Sequence, residues 1–265
     1  MKAIMDKKGN KSYKFSDNLA SISASRNTKS ILALDLDYRR DTSSILRDAK
    51  SLLAETSEFI CGVKVNYHLL LPLSFDEMSE LNHCIIDSGL LSIADIKLND
   101  IDNTNRVATD YLWDSGFAAV IVNPFAGYEG GLDVVFRNAR KLGKGVITLA
   151  YMSHKGADEG YGLKLADDRT IFEEFLLRAV TWGSSGVILG TTRPEKIRMA
   201  RNFLGKDILI ICPGSGAQGG DSSAAIDAGA DYLIFGRSIV QSKDPRKAAR
   251  NTINQTLSKA RSPPL

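Results

Sequence analysis

Short apolar runs recur along the chain at a steady interval. They are ILALDL (31–36), FICGVKV (59–65), LLSIADI (90–96), AAVIVN (118–123), GVITLAY (145–151), GVILG (186–190), ILIIC (208–212) and YLIFG (232–236), eight in all. Each is continuously apolar rather than alternating, the pattern of strands covered on both faces. Between most of them lie stretches with helical periodicity. DTSSILRDAKSLLAE follows the first run, NTNRVATDYLWDSG the third, DRTIFEEFLLRAVTWG the fifth, RPEKIRMARNFLG the sixth and DPRKAARNTINQTLSKA the eighth. DSG and DAGAD put a glycine where such helices end. Eight strand–helix alternations predict an α/β protein, a (β/α)8 TIM barrel. An open doubly wound sheet is the alternative; it shares the alternation but more often has five or six strands. Ahead of the rhythm, Phe15–Ser25 predicts a short helix entered at Ser16 or Asp17, with Phe15, Leu19 and Ile22 on one face. The chain thus divides into a polar N-terminal extension (1–14) and a single barrel (15–265).

The composition agrees with one large domain. The chain has 265 residues, of which 43% are hydrophobic, enough for a sizeable core. A net charge of +3, with no basic stripe interleaved with aromatics, does not mark a nucleic-acid binder. Cys61, Cys84 and Cys212 form no Cys-x-x-Cys pair and read as small buried hydrophobes in a reducing compartment. His68, His83 and His154 show no metal-ligand spacing. No apolar run reaches the length of a membrane span, and the charged start MKAIMDKKGN has no apolar segment behind it. A cytoplasmic location is expected.

In a barrel of this kind, chemistry collects where the strands end. Asp35 and Asp37 stand at the end of the first strand, Lys64 in the second, and Asp95 and Lys97 at the end of the third with Asp100 just beyond. Ser153 and His154 follow the fifth strand, CPGSGAQGGD ends the seventh, and GRS closes the eighth. Two features stand out. Glycine-rich loops after strands seven and eight suit a phosphate: Gly214, Gly216, Gly219 and Gly220 permit close backbone approach, Gln218 offers an amide, and Gly236-Arg237 an N–H and a guanidinium fork. GSGAQG also spells a dinucleotide fingerprint. It sits at the seventh strand, with no acidic residue about 20 residues on at the end of a next strand, so that reading is set aside. The second feature is Asp-x-Lys-x-x-Asp, with Asp102 close behind, opposite a lysine inside an apolar run. Burying Lys64 within GVKV costs several kcal/mol unless a carboxylate pairs it.

The ordered motifs LALDL, VKV, ADIKLNDIDNT, MSH, TTRPE, PGSGAQGGD and FGRSI resemble the orotidine 5'-monophosphate decarboxylases, over roughly residues 15–260. The resemblance implies a barrel that decarboxylates orotidine 5'-monophosphate to uridine 5'-monophosphate in de novo pyrimidine biosynthesis, with no cofactor and no metal. The family's charge network falls on Lys64, Asp95, Lys97 and Asp100, with Lys97 the proton donor. By the same resemblance Asp35 binds ribose hydroxyls, Ser153 reads the pyrimidine edge, Pro213 and Gln218 lie in a lid over the phosphate, and Gly236 and Arg237 hold it. It also implies a homodimer in which Asp100, Ile101 and Thr104 help close the neighbouring subunit's site. Two departures from the family pattern, Asn66 in place of glycine and VNPFAG in place of a histidine–glycine pair, are expected at the rim of the site.

Two rivals remain. Sugar-phosphate decarboxylases of the same suprafamily share Asp-x-Lys-x-x-Asp but stabilise an enediolate with Mg²⁺, using a second strand that resembles Glu-x-Gly-Thr. Lys64 here puts an ammonium where that metal would need a carboxylate. A non-catalytic phosphate-ligand sensor is the other, and a binder gains little from a buried proton donor.

Overall fold

The computed structural model of the protein describes residues 4–5, 11–12, 15–214 and 221–257. Gln218, Gly216, Gly219, Gly220 and most of the N-terminal extension lie outside the described residues; within that extension Ile4–Met5 pairs antiparallel with Lys11–Ser12. Eight parallel strands close into a barrel. They are β1 (Ser30–Ala33), β2 (Gly62–Asn66), β3 (Leu91–Leu98), β4 (Ala119–Val122), β5 (Gly145–Tyr151), β6 (Gly186–Leu189), β7 (Leu209–Pro213) and β8 (Tyr232–Phe235). Each coincides with one of the eight apolar runs, and β8 pairs with β1 to complete the ring. The closed ring excludes the open doubly wound sheet.

The longer helices are α1 (Phe15–Arg26), α2 (Thr42–Thr56), α3 (Phe75–Asp87), α4 (Asp102–Asp114), α5 (Asp133–Leu142), α6 (Ile171–Trp182), α7 (Pro194–Leu204), α8 (Ser222–Asp227) and α9 (Pro245–Leu257). Local signals fix their ends. Asp41 accepts from the Ser44 N–H to cap α2, and Ser74 with Glu77, and Thr170 with Glu173, form capping boxes at α3 and α6. Gly89, Gly116 and Gly229 follow α3, α4 and α8 with positive φ, a backbone that glycine adopts without strain.

Each strand buries both faces. Outward-facing Leu32, Leu34, Val63 and Val65 belong to the core beneath the helices, while Ile31, Ala33, Ile121, Ile147, Ile188 and Ile234 belong to the cluster filling the barrel. α1 begins at Phe15, one or two residues earlier than its expected entry, and stoppers one end of that interior. A Cβ on Gly145, the first residue of β5, would come within 2.6 Å of the Phe15 ring, and one on Gly62, the first of β2, within 3.5 Å of Leu19. Glycine at the start of β5 therefore lets Phe15 approach, and Leu19 packs in ordinary contact at the start of β2; both are buried as their spacing predicts, while Ile22 is partly buried. With that end plugged, the open end, where the strands finish, is left for chemistry.

Candidate active site

A cavity of about 400 Å³ opens at the C-terminal end of the barrel. Its floor is apolar, formed by Ala33, Ile121, Leu149, Ile188 and Ile234 of the barrel interior. Its walls carry Asp35, Lys64, Asp95, Lys97, Ser153, Pro213, Gly236 and Arg237. Eight of the twelve site residues expected from sequence are therefore brought to one cavity.

The charge network is built by strand periodicity. Side chains two residues apart on a strand point the same way, so Asp95 and Lys97 of β3 share a face, as do Lys64 and Asn66 of β2. The β2–β3 register sets Asn66 opposite Asp95. The Lys64 ammonium donates to Asp95 Oδ2 at 2.7 Å, and the Lys97 ammonium donates to Asp95 Oδ1 at 2.7 Å. The Lys64–Asp95 pair is almost completely enclosed, with side chains 8% and 11% exposed, whereas Lys97 is 39% exposed toward the cavity. Burial alone would push the Asp95 carboxyl up. The charges and hydrogen bonds of Lys64 and Lys97 outweigh it and hold that carboxyl below the usual carboxylate range.

Lys97 itself has φ +48°. A long side chain in the left-handed region is uncommon, and strain of this kind gathers at functional sites. The sheet shows the accompanying irregularity: the β3–β4 register shifts between Ala94 and Leu98, and Lys97 sits within that bulged stretch of β3.

Next to the network, where the neighbouring strands β1 and β8 end, Asp35 and Gly236 are in close contact. A Cβ at Gly236 would lie 2.1 Å from Asp35 Oδ2, so only glycine leaves room for that carboxylate. Arg237 begins the short helix Arg237–Val240 beside it and is exposed at the mouth. Pro213 is anchored through its carbonyl, which accepts from the Thr191 N–H at 3.0 Å. Ser153 and His154 line the cavity beside Gly190, which follows β6 and leaves room for them; a Cβ there would come within 2.7 Å of the Ser153 Cβ. The loop they belong to is tied down through Asp158, which accepts from the Tyr151 hydroxyl at 2.6 Å and from Arg193 at 2.9 Å.

Asp100, Ile101 and Thr104 stand apart from this cavity, exposed at the start of α4. The Asp100 backbone is pinned by Asn105, whose amide donates to the Asp100 carbonyl at 2.5 Å. Its carboxylate accepts from the Ile101 N–H at 2.7 Å and enters no ion pair among the described residues. Asp102 is not part of the network either; it pairs with Arg137 at 3.9 Å.

One expectation is corrected. Asn66 does not lie at the rim. Its carbonyl oxygen accepts from the Lys64 ammonium and its amide N–H donates to Asp35 Oδ1, so it joins the lysine of β2 to the carboxylate that follows β1. The signal was available, because Asn66 follows Lys64 by two residues on one strand. Asn123 does lie outside the cavity, accepting from the Phe125 N–H at 3.1 Å. The cysteines match their expected role as small buried hydrophobes only in part: Cys61 and Cys212 are buried and Cys84 is half-buried; all three are free, and burial pushes the Cys61 thiol up to about 12.

Comparison with known proteins agrees with this geometry. The model of the orotidine 5'-phosphate decarboxylase / HUMPS family matches residues 28–252. Orotidine 5'-phosphate decarboxylase of Methanosarcina mazei is 37% identical over 224 residues, covering 84% of this chain and 93% of the relative. That of Pyrococcus furiosus is 36% identical over 225 residues, covering 85% and 96%. The crystal structure of orotidine 5'-phosphate decarboxylase from Pyrococcus horikoshii OT3, 34% identical, superposes with a TM-score of 0.68 over 86% of this chain and 98% of that one. A family match spanning most of the chain, with relatives of similar length, means that this chain belongs to the orotidine 5'-phosphate decarboxylase / HUMPS family.

Proposed function

We propose that this protein is a carboxy-lyase that converts orotidine 5'-monophosphate to uridine 5'-monophosphate and CO₂ in pyrimidine biosynthesis, without a metal. The observation that carries the reading is Asp95 gripped at 2.7 Å by both Lys64 and Lys97 above an apolar floor. Breaking the bond from C6 to the carboxylate leaves the electron pair on a vinylic carbon with little resonance help, so the protein must supply the electrostatics. Lys97, the more exposed of the two ammoniums, stabilises that charge and donates its proton to C6; water later returns a proton to the lysine. Asp95 lies near the departing carboxylate and raises the energy of the bound ground state by repulsion. Lys64 keeps Asp95 aligned and contacts the ribose together with Asp35.

The far end of the substrate contributes through binding. Ser153 reads the pyrimidine edge, Gly236 and Arg237 hold the phosphate, and Pro213 and Gln218 lie in the lid over it. Binding energy from that remote group raises the rate as well as the affinity. The enzyme works as a homodimer in the cytoplasm, its chain from residue 15 onward acting as one catalytic domain. Asp100 reaches the partner's Lys97, with Ile101 and Thr104 beside it. Support for this arrangement comes from their joint exposure at the start of α4, where Ile101 is 68% exposed. A cytoplasmic site suits the three free cysteines, and no described helix is long and apolar enough to cross a membrane.

The metal-dependent sugar-phosphate reading is disfavoured by charge: a divalent cation brought to Asp95 would meet two ammoniums already on its oxygens. The sensor reading does not account for a lysine held in strained backbone in the cavity wall. Purified protein incubated with orotidine 5'-monophosphate should release CO₂ and yield uridine 5'-monophosphate in equal amounts. Binding of the nucleotide without either product would overturn the proposal.

A further inference from the structure

We infer that Asn66 is a positioning residue of this site, holding Lys64 and Asp35 in the orientations in which they meet the substrate; the inference rests on the function proposed above. Asn66 ends β2, shares the inward face with Lys64, and stands opposite Asp95 in the register. Its two polar ends are used in opposite senses. The carbonyl oxygen accepts from a cation, Lys64, and the amide N–H donates to an anion, Asp35. A single orientation of the amide satisfies both partners, because ammonium can only donate and an ionised carboxylate can only accept.

The arithmetic of donors gives the arrangement its consequence. An ammonium has three N–H groups. Lys64 gives one to Asp95 and one to Asn66, which leaves one for the cavity. The Asp35 carboxylate is likewise held on both sides, by the Asn66 amide at Oδ1 and by the closeness of Gly236 at Oδ2. A glycine in place of Asn66 would leave Lys64 free to swing from Asp95 to Asp35. A carboxylate there would add a third anion beside Asp35 and Asp95. Neutral Asn66 links Lys64 to Asp35 while leaving the Lys64 charge directed at Asp95.

The test compares Asn66→Ala and Asn66→Asp with the wild type, measuring kcat and KM for orotidine 5'-monophosphate, together with Asp35→Ala and the Asp35→Ala/Asn66→Ala double variant. Asn66→Ala should lower kcat/KM by roughly tenfold to hundredfold, as expected when hydrogen bonds to charged groups are lost. The loss should be divided between a higher KM, through Asp35, and a lower kcat, through Lys64. Asn66→Asp keeps the acceptor for Lys64 but repels Asp35, so its loss should fall mainly on KM. In the Asp35→Ala background, Asn66→Ala should cost less than it does alone, which a general loss of structure would not produce. If Asn66→Ala does not fold, as judged by circular dichroism, Asn66→Ser takes its place with the same expectations. Variants within twofold of wild type in both constants, or strictly additive losses with Asp35→Ala, would overturn the inference. An inactive wild type would instead overturn the functional reading itself.

Discussion

Removing Asp95 tests whether the network is held together as described. Asp95→Ala leaves Lys64, whose side chain is 8% exposed, without its carboxylate partner, while Lys97 at 39% exposure can turn toward water. Breaking a buried pair by deleting one member costs about 3–5 kcal/mol, since the surviving charge stays desolvated. Asn66 still accepts one hydrogen bond from Lys64, which places the cost near the lower end, about 3 kcal/mol. The loss of the Lys97 contact adds little, as exposed pairs contribute about 0–1 kcal/mol. At roughly 2–4 °C per kcal/mol for a chain of this size, the melting point should fall by roughly 6–12 °C. Replacing both partners with apolar residues, Lys64→Met with Asp95→Leu, should restore stability to within about 1 kcal/mol of wild type. Both variants should be inactive. The difference between wild type and Asp95→Ala should also depend on acid. The folded Asp95 carboxyl is held low, so its stabilising contribution is complete above the ordinary value of about 3.9 and lost as pH falls through the lowered folded value. Urea titrations at pH 7 and through the acid range measure all of this. Asp95→Ala within about 1 kcal/mol of wild type at pH 7, or a double variant as unstable as the single one, would refute the reasoning.

Three further outcomes concern the chemistry and the assembly. Lys97→Ala should fold, because its side chain is partly exposed, yet lose on the order of 4 kcal/mol of transition-state stabilisation, about a thousandfold in turnover or more; a variant that keeps a tenth of wild-type turnover would show the proton comes from elsewhere. Arg237→Ala should impair turnover of the nucleotide strongly and barely change the slow reaction of the nucleoside lacking phosphate, and equal losses on both would remove Arg237 from the phosphate site. Mixing inactive Lys97→Ala and Asp100→Ala chains should return about a quarter of wild-type activity, because about half the dimers are mixed and each has one intact site. Mixed dimers confirmed by mass spectrometry with activity at background would mean that Asp100 acts within its own chain.

The barrel was legible because strands buried on both faces leave an unbroken apolar run, as the all-buried β4, β5, β6 and β8 illustrate. Lys64 was legible for the opposite reason: a charge inside such a run must have a partner. Less accessible was whatever depends on how the backbone leaves the strand. Nothing in LSIADIKL announces the register shift that accompanies the positive φ of Lys97, since the shift arises from pairing with β4. The place of Asn66 depends on β2 running on to residue 66, one position past the end of the apolar run, which puts it on the face of Lys64. Asp100 does not line the cavity that holds Lys97 and forms no ion pair among the described residues, which no spacing along a single sequence can reveal.

The central claim is that this site drives decarboxylation with its own lysines and carboxylates. The most direct measurement is the loss of orotidine 5'-monophosphate ultraviolet absorbance with purified protein, recorded in EDTA and again after adding Mg²⁺. The account predicts equal rates under both conditions. Activity abolished by EDTA and restored by Mg²⁺ would contradict it.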